Sequence, residues 1–120
     1  MLSGLIVEKL EKLELPKVKF EIHFERGELS ANGFDKVEFL ISTNISEGLK
    51  PLAKVASGGE ISRVMLAIKT IFAQSDNIGT VIFDEIDTGI SGKTSQAVAD
   101  EVKALSEYMQ IIMITGYYRL

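Results

Sequence analysis

The chain has 120 residues, a formal charge of −4, 46% hydrophobic residues and no cysteine. That length limits it to one domain, and that hydrophobic content supports a packed core over global disorder. Disulfides, thiolate metal sites and cysteine nucleophiles are excluded, as is the wide basic footprint of a nucleic-acid binder. No apolar run approaches the roughly 18 residues of a membrane span. Glu8, Lys9, Glu11 and Lys12 interrupt any secretory pattern. The expectation is a cytoplasmic chain with no membrane partner.

In chain order, Leu2, Leu5, Ile6, Leu10 and Leu13 recur at helical spacing with charges between them. This predicts an amphipathic helix that Pro16 stops. It suits either packing on a core or the end of a coiled coil. Val18, Phe20, Ile22 and Phe24 then alternate with Lys19, Glu21, His23 and Glu25, the pattern of a half-buried strand. His23, the only histidine, falls on the polar face, and one histidine supports no metal site. Gly27 and Asn32-Gly33 mark a turn region. Alternation resumes at Val37, Phe39 and Ile41, so an antiparallel pair with one wet face is expected. Residues 44–56 read as a loop carrying Gly48 and Pro51. Ile61, Val64, Met65, Ile68, Ile71 and Phe72 form a second helical stripe. Residues 79–84 are an apolar strand and 86–92 a glycine-containing loop. Ala97, Val98, Val102, Leu105 and Met109 mark a third helix, and Gln110 to Thr115 a last apolar strand. Strand, crossover helix and strand make a βαβ unit, whose strands should be parallel.

Chemistry concentrates in two places. Thr80-Val81-Ile82-Phe83 suits a strand covered on both faces. It delivers Asp84 and Glu85 to its C-terminal end, where parallel sheets place ligands. A Mg²⁺-nucleotide needs one carboxylate near the metal and another near an attacking water. Upstream, Ser57-Gly58-Gly59-Glu60 opens the second helix. Ser57 and Glu60 have the spacing of a capping box. The same helix start, with two glycines, exposes backbone N–H groups that suit a phosphate. A cap and a phosphate cradle can share one helix start. Gly92-Lys93-Thr94 looks like the end of a P-loop, but the glycine required five residues earlier is Asp87. Ser91 is read as a helix N-cap and Lys93 as a solvated side chain. No true P-loop pattern occurs in the 120 residues.

As a set these motifs resemble the ABC ATPases. Ser57-Gly58-Gly59-Glu60 resembles their signature motif, Val81-Ile82-Phe83-Asp84-Glu85 their Walker B strand, and Asp87 the start of their D-loop. Gln110-Ile111-Ile112-Met113-Ile114-Thr115 is similar to the strand before their switch histidine. Val37 to Asn44 and Leu49 to Lys54 resemble, more narrowly, the RecN family of SMC-like ATPases in bacterial DNA repair. The likeness runs from about residue 16 to 115. It implies an α/β fold: the C-terminal lobe of an ABC-type P-loop ATPase head. That lobe has a parallel βαβ core, an antiparallel β-hairpin and an N-terminal amphipathic helix. Residues 1–15 would be the end of a coiled-coil arm and 16–120 the partial head.

The resemblance also implies roles. Asp84 would hold Mg²⁺ through water, and Glu85 would be the general base. Ser57, Gly58 and Gly59 would contact the γ-phosphate of ATP bound to the opposite subunit, and Glu60 would support that helix start. Asp87 would couple the two sites. The implied partners are a second head in a homodimer, the N-terminal lobe of the same head, and DNA through the parent protein. The implied process is double-strand break repair by recombination, at the nucleoid. Two departures accompany this: no Walker A segment is present, and Gly116 stands where the switch histidine is expected, followed by Tyr117-Tyr118-Arg119-Leu120. A chain inactive by itself is therefore expected. The alternatives are a fragment of an ABC-transporter nucleotide-binding domain and a catalytically silent interaction module. Glu60 in place of glutamine, and the upstream hairpin, weigh against transport.

Overall fold

The computed structural model of the chain describes residues 1–55, 58–73 and 75–116. Helix α1 spans Leu2–Lys12, and strands β1, Lys19–Ser30, and β2, Gly33–Ser42, follow as an antiparallel hairpin. Residues 44–56, expected as loop, contain the two-residue strand β3, Lys50–Pro51, and a 3-10 turn, Leu52–Lys54. Strand β3 pairs with the end of β2 through Leu40 and Ile41. Helix α2 is Gly58–Phe72, β4 is Thr80–Asp84, α3 is Gly92–Ser106 and β5 is Gln110–Ile114. As the βαβ pattern requires, β4 and β5 are parallel, in register from Thr80 opposite Gln110 to Asp84 opposite Ile114.

The apolar stripe of α1 is buried in the common core. Ile6, Leu10 and Leu13 are at most 1% exposed, while Leu5 at the edge of the stripe stays exposed. They share a cluster with Val64, Leu66 and Ala67 of α2, Val98 and Leu105 of α3, and Phe20 and Ile41 at the hairpin base. Met109, expected inside the third helix, lies beyond it but is still buried. Polar ties reinforce the α1–α3 contact. Lys9 pairs with Glu101 at 3.0 Å. Past the helix end, Glu14 adopts a left-handed φ of 60° and accepts a 2.7 Å hydrogen bond from Ser91 Oγ. Ser91 is the N-cap residue of α3 by position, yet its hydroxyl makes no capping bond. It is committed to Glu14 instead.

Three expectations about the strands need correction. Gly27 is not in the turn: it lies inside β1, where the register shifts between Arg26 and Ser30, and the chain reverses at 31–32 before Gly33, whose φ is 100°. Glycine accepts that conformation without a Cβ clash. Nor is β4 covered on both faces. Val81 and Phe83 point to the side where the helices lie, but Ile82 is 61% exposed, opposite the exposed Ile112. The described residues place α2 and α3 against the sheet and pair β4 and β5 only with each other. The hairpin departs similarly: Phe20 and Ile41 are buried at its base, but Phe24 and Val37 farther out are exposed on the face meant to be dry.

Truncating Leu10 to alanine should cost about 2–5 kcal/mol, the usual range for a buried leucine, read as a lower urea midpoint at unchanged m-value. Hydrogen bonds from Thr94 and Ser91 hold the Glu14 carboxyl below its ordinary value of 4.5. A depressed carboxyl stabilises the fold above its unfolded pKa and loses that contribution as pH falls through its folded value. Unfolding followed from pH 6 to pH 3 should therefore show a shallower acid limb in Glu14→Gln than in the parent chain.

Candidate functional site

The candidate site forms where the start of α2 meets the end of β4. Helix α2 runs back along β4, so its first turn lies beside the segment 84–88 that leaves the strand. Asp84 is the last residue of β4, exposed, and shares its strand face with Ile82. Glu85 follows with a left-handed φ of 58°. For a non-glycine residue that costs about 1–2 kcal/mol and persists only where the surroundings enforce it. Here they do: Glu85 N–H donates to Ile114 O at 3.1 Å and Thr88 N–H donates to Glu85 O at 3.1 Å.

The glycines are explained by this proximity. A Cβ added to Gly58 would collide with Glu85 Oε2. One added to Gly59 would lie 3.1 Å from Glu85 O, from Thr88 Cβ and from Thr88 O. The Glu85 carboxylate therefore rests against the N-terminal end of α2, where backbone N–H groups favour negative charge. Sequence reasoning separated these elements by function, and the structure brings Gly58, Gly59 and Glu85 into contact. Ser57 lies outside the described residues. Asp87 sits in the loop, and its Oδ1 is buried without a hydrogen-bond partner.

Two residues escaped the sequence reading. Ser62 Oγ donates to Asp84 O. Arg63, 5% exposed, donates through Nη1 to Thr88 O at 3.0 Å and to Ile86 O at 3.4 Å. Burial pushes the Arg63 guanidinium below its ordinary pKa, opposed by Glu60 and Glu14. The available signal was a charged residue beside Val64 on the buried face of α2.

No cluster of three His, Cys, Asp or Glu side chains suited to a metal occurs among the described residues. Mg²⁺ keeps several waters and commonly takes one or two carboxylates plus phosphate oxygens. Asp84 is placed to be such a carboxylate. No described helix is long and apolar enough to cross a membrane. A groove of about 460 Å³ between α1 and α3, lined by Glu11, Glu14, Asp100 and Glu101, includes none of these site residues.

The two glycines should respond differently to alanine. At Gly59 the obstruction is largely backbone, so Gly59→Ala should destabilise by about 1–3 kcal/mol. At Gly58 it is the tip of a flexible side chain. Gly58→Ala should change stability by less than about 1 kcal/mol, with gained helix propensity offsetting the displacement of Glu85. Thermal melts of both variants check this ordering.

No family model matches the chain. Curated relatives do. The chain is 61% identical over 83 residues to DNA repair protein RecN of Treponema pallidum, covering 69% of this chain and 14% of that protein. It is 47% identical over 119 residues to the RecN of Halalkalibacterium halodurans, covering 95% and 21%. To the RecN of Vibrio cholerae it is 42% identical over 116 residues, again 95% and 21%. Among solved structures, it is similar to the SmcHead bound to the C-winged helix domain of ScpA, with a TM-score of 0.60 and 26% identity over 95% of this chain and 33% of that one. It is also similar to the Pyrococcus furiosus Smc head domain with an extended coiled coil, with a TM-score of 0.63, 26% identity and coverage of 95% and 27%. The chain thus spans about a fifth of the length of relatives such as those of Halalkalibacterium and Vibrio, its fold is the α/β lobe of an SMC-type ATPase head, and it belongs to the RecN family.

Proposed function

We propose that the chain is the C-terminal lobe of an SMC-like ATPase head that works in DNA double-strand break repair and recombination. The observation that carries this reading is the junction of α2 with β4, where Gly58 and Gly59 abut Glu85 and Asp84 ends the parallel strand. Carboxylates at that strand end, beside a helix start whose Gly59 closely approaches the facing backbone, suit a phosphate-bearing substrate. The names of the relatives support a setting in DNA repair.

In this reading Asp84 would hold Mg²⁺, which when bound would supply charge stabilisation to the phosphate. Glu85 accepts the proton of an attacking water. Ser57, Gly58 and Gly59 meet the γ-phosphate of ATP carried by a second head of a homodimer, Glu60 supports the helix start, and Asp87 couples the two sites. The N-terminal lobe of the same head supplies the Walker A cradle. The bare face of β4 and β5, with Ile82, Ile112 and Ile114 exposed, is the surface it would cover, since parallel sheets are ordinarily covered on both faces. Residues 1–15 continue into a coiled-coil arm. DNA is engaged by the parent protein, in the cytoplasm at the nucleoid. A transporter domain is the weaker reading, because the relatives found are repair proteins.

The chain alone should turn over no ATP. Mixed with a polypeptide supplying the N-terminal lobe, it should hydrolyse ATP, and Glu85→Gln should lower the rate by about 10²–10⁴-fold while nucleotide binding by titration persists. Turnover by the chain alone that Glu85→Gln abolishes would overturn the two-lobe site. Normal hydrolysis by an ATP-binding Glu85→Gln mixture would remove Glu85 from its role.

A further inference from the structure

Arg63 is buried, charged and incompletely bonded. Its Nη1 reaches the carbonyls of Ile86 and Thr88, on either side of Asp87, while its Nε has no partner. Its neighbours on the inner face of α2, Val64, Leu66 and Ala67, are fully buried hydrocarbon. Placing a guanidinium in that stripe is costly, and an apolar side chain of similar volume often serves stability as well or better. What hydrocarbon cannot supply is a donor aimed at two carbonyls of one loop. Arginine does so from a planar fork on a stem packed along the helix.

We infer that Arg63 is a positioning residue that fixes the backbone on both sides of Asp87. The start of α2 and the 85–88 loop then move as one body. The inference rests on the roles proposed above for Glu85 and Asp87. A set of close contacts defines the body. Ser62 Oγ holds Asp84 O, Arg63 holds Ile86 O and Thr88 O, Thr88 N–H closes onto Glu85 O, and Gly59 packs against Glu85 O and Thr88. A phosphate meeting Gly58 and Gly59 therefore displaces a helix start bonded to Asp84, Ile86 and Thr88, the residues that flank Glu85 and Asp87. Helix and loop together link events at one nucleotide to the base that serves the other.

Two measurements test this, with Arg63→Met and Arg63→Lys as the variants. Amide hydrogen exchange of the chain itself reads the loop. In Arg63→Met the Thr88 and Glu85 amides should exchange faster, while amides in the middle of α2 keep their protection. Arg63→Lys, which keeps a single donor nitrogen, should fall between. Steady-state hydrolysis with the N-terminal lobe supplied reads the consequence. A displaced base should lower kcat by about 10²-fold with the ATP KM within about twofold, since uniform binding is untouched, and Arg63→Lys should recover part of the loss. Should Arg63→Met fail to fold, Arg63→Lys carries both readouts against the parent chain. Parent-like exchange at Thr88 and Glu85, or an Arg63 variant whose loss lies wholly in KM, overturns the positioning role. Glu85→Gln, run in parallel, separates the outcomes: if it hydrolyses normally, the function proposed above fails, and if it is impaired while the Arg63 variants are not, this inference alone fails.

Discussion

Where the first turn of α2 reaches the end of β4, Gly59 has no space for a Cβ without a shift of the facing backbone, and the geometry of the site follows from that closeness. Gly59 lies 3.1 Å, measured from its would-be Cβ, from two carbonyl oxygens of the facing loop. Such an approach needs strong packing beneath it. Phe83 and Ile86, at 2% and 0% exposure, provide it together with Val64. Burying each large apolar side chain contributes about 1.5–3 kcal/mol, whereas a typical hydrogen bond contributes about 1 kcal/mol net. Apolar packing therefore decides where the loop sits. The weaker bonds from Ser62 and Arg63 decide which way its carbonyls and carboxylates face. The left-handed backbone at Glu85 is tolerated because both determinants act on the same five residues.

Much of this architecture was legible in the sequence, for reasons that differ by element. The stripe Ile6, Leu10, Leu13 announced α1 because helical periodicity survives in any environment that buries one face. The parallel pairing of β4 and β5 followed from their separation by a helix. The same reasoning misjudged the exposure of β4, because a continuous apolar run encodes cover on two faces and says nothing about which segment supplies it. Ile82 is the residue that records the difference. At Gly27 a turn signal was overruled by pairing: the strand continues through a register shift to Ser30. Ser91 was correct as a position and incomplete as chemistry, since its hydroxyl turns to Glu14, 77 residues away in sequence. Arg63 was illegible for a related reason. Its partners lie 23 and 25 residues distant and are carbonyls, which every residue possesses.

The attachment of α1 illustrates how modest polar terms act once apolar contacts have set the distance. Lys9 and Glu101 are each partly buried, so their 3.0 Å pair is less screened than the exposed Lys12–Glu8 pair on the same helix. Together with Glu14 and Ser91 it fastens both ends of the α1–α3 contact. Helix α1 is thereby tied to α3, the helix that follows the 85–88 loop.

The hairpin carries a consequence of a different kind. Its cross-strand pairs pass from Phe20 and Ile41, buried in the core, through Ile22 and Phe39, to Phe24 and Val37 in solvent. Each step outward loses packing while keeping its ladder bonds. Local stability should fall along the same axis, so the outer rungs open in small excursions that never reach the base. The hairpin is in effect a clamped beam, stiff where it enters the core and compliant at its free end. A force or contact at residues 28–35 would be absorbed by fraying there before it reached Phe20, leaving the α2–β4 junction undisturbed.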